Sequence, residues 1–469
     1  TNATAIAVSA VADGVNATAL GVSASASNLN AMALGVGAVA SGEEATALSA
    51  NSTASGTRSV AIGVDAQSTA TNSQTFGVAA KATATNAVAI AATAEASGQN
   101  TLAVGVATKA SGVNSVAIAA GAQSTAGNSL AFGVKAEASA LNTVAIGTEA
   151  VSNQTGALSF GAGAQATANY TMAFGVGANA NENNAMAIGH DAEATSSNSI
   201  AVGLDAQASG TMAMALGLKS RSLADETIAI GAYANASTTN ATAFGTNASA
   251  LAENAMALGT SSLANTTDAF AAGLQAQATG VNSMSLGMQS VASNENALAY
   301  GSKARATGEN AMATGTQAYA NASMSIASGV CAQATKEGAI AFGPYAEATN
   351  EQTIAMGAKA KAVGANSTAI GVTSLANSSK ALAVGACSQA LQSGAMALAA
   401  YSLANGTDAI AAGFNANASA DNAIALGTET LANKEDAFAA GFSAKATGEN
   451  AMALGSKAEA TATGAYAAG

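Results

Sequence analysis

From Asn2 to Thr463 the chain divides into 33 consecutive stretches of 14 residues without one insertion or deletion, and "GAYAAG" begins another. A fixed period of this length decides the architecture before any local propensity does, because each repeat must fold alike and find its burial against its neighbours. Residues 1–469 are therefore expected to form one repeat array rather than several domains. Positions are numbered 1 to 14, so that "NAMALGTSSLANTT" (254–267) is one complete repeat.

Positions 2, 4, 9 and 11 are Ala, Ser or Thr in all 33 repeats, and position 6 is Gly in 28. Positions 3 and 5 carry the large apolar residues, while 11 of the 15 basic residues lie at positions 8 and 10. Fourteen is also two heptads, so a long Ala-rich coiled coil is the first alternative. It fails because a Gly in nearly every repeat costs roughly 1 kcal/mol each in a helix interior. The alternation of large residues at 3 and 5 with a small one at 4 is also the period of a strand. Position 10, which would share a heptad face with position 3, carries Lys, Glu and Gln.

The pattern predicts an all-β solenoid of 14-residue coils, with strands at positions 2–5 and 8–11 and turns at the glycine of position 6 and at 12–14. Side chains at 2, 4, 9 and 11 then meet in a lumen that admits only small groups. Parallel ladders between coils satisfy the backbone. Asn, found at position 1 in 19 repeats, can stack as a side-chain ladder or close an Asx turn.

Positions 3 and 5 point outward, opposite to 4, yet hold the bulkiest apolar groups. Such a stripe of roughly 60 side chains far exceeds the few hundred Å² of apolar surface a soluble monomer exposes. It is expected to be an interface between chains, formed among others by Ile62, Ile90, Ile118, Phe132, Ile146, Phe160, Phe174, Ile188, Phe270 and Phe438. Positions 3 and 5 also trade volume, as in Gln74 with Phe76 or Met312 with Thr314, which close packing requires.

Three repeats invert the pattern. "DAFAAGL" (268–274), "DAIAAGF" (408–414) and "DAFAAGF" (436–442) place Ala at position 5 and a large residue at position 7, namely Leu274, Phe414 or Phe442. They alone have Asp at position 1. The expectation is a second way of packing the same coil, with the missing bulk moved from 5 to 7.

The net charge of −12 and the lack of basic patches argue against nucleic acid and anionic lipid as partners. No apolar run is long enough to span a bilayer, and the N-terminal residues lack the basic region of a secretory signal. No catalytic constellation, cofactor motif or metal set stands out, so enzymatic activity is not expected. The single histidine, His190, lies on a turn beside Asp191 without evident further partners. Cys331 and Cys387 both occupy position 8, four coils apart, which puts them on the order of 19 Å from each other by the strand spacing and too far apart to bridge. Apolar groups on the outward face are candidate anchors for recognition: Tyr233, Tyr345 and Tyr401 at position 8, Tyr319 at position 10, Pro344 before Tyr345, and Leu263, Leu375, Leu403 and Leu431 at position 10.

Repeats such as "NSVAIAAGAQSTAG" (114–127), "NTVAIGTEAVSNQT" (142–155) and "NAMAIGHDAEATSS" (184–197) resemble the head repeats of YadA-like trimeric autotransporter adhesins. The resemblance runs through the whole chain. It implies a left-handed parallel β-roll assembled as a homotrimer through the apolar stripe, at the distal end of a fibre on a bacterial cell surface. It further implies anchorage to the outer membrane through a C-terminal region absent from these residues, so that this segment makes no direct membrane contact. The function so implied is attachment of the outer face to a host cell-surface or matrix protein or to another bacterial surface. A passive rigid spacer for a binding region elsewhere is the alternative. A polysaccharide lyase on a β-solenoid would need long loops, and an ice-binding face would need regular Thr; neither is present.

Overall fold

The computed structural model describes residues 2–469 and is built entirely of short parallel strands in 14-residue coils. By contacts the chain groups into two compact units, Thr1–Ala234 and Asn235–Gly469. Each is a β-solenoid with the same coil. In the first unit β1 (Thr4–Ile6) and β2 (Val11–Ala12) make one coil, and β3 (Thr18–Leu20) and β4 (Ser25–Ala26) the next. β1 pairs with β3 and β2 with β4, in parallel and shifted by one full repeat, with Thr4 opposite Thr18 and Val11 opposite Ser25. The second unit repeats this register, with Phe270 opposite Met284 and Gln277 opposite Val291.

The strands are shorter than the sequence pattern predicts: they cover positions 3–5 and 10–11 rather than 2–5 and 8–11. The reason is backbone geometry at the corners. Residues at position 8 take the left-handed conformation, as at Asp65, Lys135 and Lys303 with φ of 58°, 56° and 57°, so position 8 is a turn residue and leaves the strand. Position 1 does the same, as at Asn72, Asn86 and Asn100. The tight turns close from position 9 to 6 and from position 2 to 13, as in Ala24 N–H to Gly21 O (3.1 Å) and Ala17 N–H to Gly14 O (3.1 Å). The second turn therefore reaches two residues beyond the expected 12–14.

A consequence is that the two halves of a coil are nearly equivalent. Positions 1 and 8 are left-handed, 2 and 9 are buried turn ends, and 4 and 11 point into the lumen. Even the turns are laddered: Ser23 N–H donates to Val8 O and Asn30 N–H to Val15 O, each to the coil before.

The lumen is as the sequence predicts. Ala at positions 2, 4, 9 and 11 is almost completely buried in every coil but the terminal ones, as at Ala17, Ala19, Ala24 and Ala26. Most Ser and Thr at these positions hydrogen-bond inside the wall, as in the Ser124–Ser129 and Ser222–Thr227 hydroxyl pairs (both 2.6 Å) or Thr101 Oγ1 to Gly98 O (2.7 Å), while the Ser59, Ser115 and Ser367 hydroxyls find no partner. Where they form, these bonds remove most of the penalty for burying a hydroxyl. Gly at position 6 is set by close approach between coils. At Gly301, with φ of 132°, a Cβ would lie 2.6 Å from the Gly315 carbonyl.

Asn at position 1 takes the first of its two expected roles, the side-chain ladder, and not that of closing an Asx turn. Its left-handed backbone is one that Asn tolerates better than most residues, and its amides form a ladder from Asn72 through Asn86, Asn100, Asn114 and Asn128 to Asn142, with steps of 2.9–3.2 Å. In the second unit Asn254 Nδ2 donates to Asp268 Oδ1 at 2.9 Å. The Asp of that inverted repeat thus takes the acceptor's place in the ladder.

Candidate functional site

With the lumen closed, only the outward columns of each coil can meet another molecule. The apolar stripe lies on the longer strands. In the first unit Ile118, Phe132, Ile146, Phe160, Phe174 and Ile188 stand opposite one another in successive coils. The rings of Phe160 and Phe174 stack at 4.5 Å with planes 11° apart. Stacking covers these side chains only in part: Phe132 is 50% exposed and Ile90 37%, while Ile62, Ile118, Ile146, Phe160, Phe174 and Ile188 are half-buried, as are Phe270 and Phe438 in the second unit. The chain by itself leaves this row half in water.

The structure adds a column that the sequence pattern assigns to the turn. Position 7 is exposed and repeatedly apolar, as at Val22, Val36, Val64, Val78, Val106, Val134 and Val176. The signal is present in the sequence as a recurring Val after Gly. Leu274, Phe414 and Phe442 of the inverted repeats stand in this column at 46%, 50% and 50% exposure. Phe414 packs edge-on against Tyr401 of the preceding coil, with centroids 5.7 Å apart.

The candidate recognition residues separate into two groups. Tyr233, Tyr345 and Tyr401 at position 8 are exposed, as is Pro344. Tyr319 and Leu263, Leu375, Leu403 and Leu431 at position 10 are half-buried instead of standing free. Position 10 lies within the short strand, where the coil above and the coil below flank each side chain; position 8 lies on a corner. Two sets converge in the second unit. Tyr401 and Leu403 line a groove with Cys387, Gln389, Asn415 and Asn417. Tyr319 lines a larger one, of about 430 Å³, with Gln289, Lys303, Arg305 and Gln317. Tyr233, Leu375 and Leu431 line none of the described grooves.

Charges on columns 8 and 10 pair from coil to coil: Lys135 with Glu149 (3.5 Å), Lys219 with Asp205 (3.9 Å), Lys361 with Glu347 (3.0 Å) and Lys445 with Glu459 (2.8 Å). Exposed pairs of this kind contribute little to stability. His190 has a partner that its sequence neighbourhood does not reveal. Asp205, one coil on, joins His190 and Asp191 with ligand atoms within 4.8 Å of one another. His190 Nδ1 lies 2.9 Å from Asp191 Oδ2. These are the residues that could hold a metal ion, but His190 and Asp191 are exposed and the half-buried Asp205 already faces Lys219 at 3.9 Å.

Cys331 and Cys387 are free and half-buried. The Cys331 thiol donates to Gln317 Oε1 (3.4 Å), and Cys387 shares a hydrogen bond with the Thr373 hydroxyl (3.1 Å).

The columns thus comprise a sealed lumen, a half-exposed apolar row and a variable polar face. No curated protein sequence matches the chain. The family model described as YadA head domain repeat (2 copies) matches it many times over, from residues 12–38 through 208–234 and 306–330 to 446–468. Those matches cover most of the chain, the majority of them stepping in multiples of the same 14 residues as the coils, and the protein belongs to the YadA head domain repeat family.

Proposed function

We propose that this chain is the head of a surface adhesin, working as a homotrimer whose apolar rows at positions 3, 5 and 7 face one another and whose columns 8 and 10 face outward to bind. The observation that carries the reading is the half-exposed row itself. Side chains such as Phe132 and Ile90 keep 50% and 37% of their surface in water within one chain. Each contributes about 1.5–3 kcal/mol only when fully covered, so association completes what the Ala lumen leaves unfinished. Columns 8 and 10, which vary between Tyr, Lys, Glu, Gln and Leu, then remain available to a host cell-surface or matrix protein or to another bacterium. Repetition of weak contacts around and along the assembly converts them into avidity. No helix among the described residues is long and apolar enough to cross a membrane, and the proposed place is the bacterial cell surface, held to the outer membrane by other parts of the fibre.

Uniform coils without projecting loops favour a second reading, a spacer that holds a binding region away from the cell. In-frame removal of whole 14-residue coils separates the two. A spacer shortens and keeps its adhesion, whereas a head loses particular partners as particular coils go. Retention of every host and bacterial partner after each deletion in turn overturns the adhesive reading.

A further inference from the structure

Three coils carry cations at both position 8 and position 10: Lys219 with Arg221, Lys303 with Arg305, and Lys359 with Lys361. In two of them a carboxylate in the same columns answers the charge, since Asp205 pairs with Lys219 and Glu347 with Lys361. Lys303 and Arg305 differ. The column neighbours on the two coils to either side are Gln275, Gln277, Gln289, Val291, Gln317, Tyr319, Cys331 and Gln333, with no acid among them. In a chain with 27 acidic against 15 basic residues, this is a local positive site without an internal counter-charge.

The surrounding side chains form a site rather than a bare charge. Arg305 stands directly opposite Tyr319 in the short-strand ladder. Successive coils are about 4.8 Å apart, so the two side chains leave the sheet as neighbours and both line the groove. Gln289, Lys303 and Gln317 line the other edge of the groove, all three fixed in the left-handed corner conformation with φ of 55–57°. Gln289 Nε2 donates to Gln275 Oε1 (2.9 Å) and Gln317 Oε1 accepts from the Cys331 thiol (3.4 Å), which orients both amides. The groove is open, and its volume of about 430 Å³ falls at the small end of the ~300–1,000 Å³ of ligand sites.

We propose that this groove binds a carboxylate-bearing sugar unit of a glycan. A guanidinium takes a carboxylate by two parallel hydrogen bonds, and Lys303 adds a point charge. Tyr319 offers a half-buried aromatic surface to the apolar face of a pyranose, and the Gln amides can donate to and accept from ring hydroxyls. A long polyanion fits less well, because the net charge of −12 repels an extended run of negative charge on either side of the groove. An acidic peptide would find no apolar pocket beside the cations. The proposal deepens the adhesive reading and rests on it for its biological meaning, although binding itself is testable alone.

The experiment is titration calorimetry on the full chain at physiological salt. The probes are sialyllactose, a hyaluronan tetrasaccharide, neutral lactose, a poly-glutamate peptide, heparin and sodium sulfate. Binding of at least one of the first two, tenfold or more tighter than lactose and poly-glutamate, is expected, and which of them binds tells sialic from uronic acid. Arg305→Gln and Tyr319→Ala should each weaken it at least tenfold, with circular dichroism unchanged. Lys359→Gln/Lys361→Gln, at a charge-compensated coil, should leave it unaltered. Equal binding of lactose, a preference for sulfate or poly-glutamate, a preference for heparin that persists once its uronate carboxyls are reduced to alcohols, or survival of binding in Lys303→Gln/Arg305→Gln overturns the proposal. Adhesion of the full chain to cells, measured in parallel, separates the two claims. If the chain adheres to cells but calorimetry shows no acidic saccharide bound, the groove proposal fails and the adhesive reading stands. If the chain holds the saccharide but no cell, the reverse is true.

Discussion

Gly301→Ala is the sharpest test of how the coils fit together. The glycine has φ of 132°, a region that residues with a Cβ rarely enter, and an added Cβ would lie 2.6 Å from both the carbon and the oxygen of the Gly315 carbonyl. That neighbour is backbone and belongs to the next coil's ladder, so it cannot swing aside. Holding a non-glycine residue in such a conformation costs on the order of 1–3 kcal/mol. The protein supplies its own calibration. The non-glycine residues at position 6, Ala7, Ser49, Ala91, Ala119 and Ala399, have φ of 97–124°, at or below the lower edge of the range near 130° that most of the glycines take. Substitution at 301 should therefore force a similar local shift. In a repeat array each coil contacts only its neighbours, so the damage should stay local. Amide hydrogen exchange read by mass spectrometry should show about 5- to 150-fold faster exchange in the coils around 301, the equivalent of 1–3 kcal/mol, and none far away. The reverse change, Ala399→Gly, should slow exchange locally. Unchanged exchange at 301, or acceleration spread evenly along the chain, would refute the reasoning.

Other expectations follow from the same geometry. Asn100→Ala removes an acceptor for Asn86 and a donor to Asn114 and places Ala at φ of 58°; a local loss of about 1–2 kcal/mol is expected by hydrogen exchange, with Asn100→Gly milder. Ala313→Leu puts a large side chain in a lumen lined by Ala, Ser and Thr and should cost at least about 1–3 kcal/mol, visible as local unfolding by limited proteolysis. Replacing Ile146, Phe160, Phe174 and Ile188 together by Lys should abolish cross-linking between chains over those coils while leaving the β-type circular dichroism intact; preserved cross-linking would remove the assigned interface. Phe414→Ser tests the inverted repeats. If the position-7 bulk fills the space between chains, cross-linking around 400–428 weakens, whereas a change confined to ligand binding makes Phe414 and Tyr401 a recognition pair.

Most of the fold was legible in the sequence because one constraint acts 33 times. A lumen that admits only Ala, Ser and Thr marks positions 2, 4, 9 and 11 unambiguously, and everything else is fixed relative to them. The strand ends were not legible, because at position 8 the residues that favour a left-handed corner, such as Gly37, Gly121, Asn51 and Asp65, are diluted among Lys, Tyr, Gln and Ser. The exposure of the candidate recognition residues was legible in part. Tyr345 and Tyr401 stand exposed as expected, but Tyr319 and Leu403 are sheltered by their ladder neighbours. Asp205 beside His190 and the uncompensated pair Lys303 and Arg305 become visible only when the chain is read down a column rather than along its length.

The near equivalence of the two halves of each coil separates the scaffold from its orientation. A slip of seven residues would carry small residues into lumen positions, left-handed residues into left-handed corners, and leave both ladders continuous. What it would exchange is the outside: beyond the slip, the apolar row would continue down the face that had carried Lys, Glu and Tyr. The backbone is thus nearly indifferent to which side carries the apolar row and which the charged and aromatic side chains. That polarity is written only in the side chains at 3 and 5 against those at 8 and 10, and it survives length change only in quanta of fourteen.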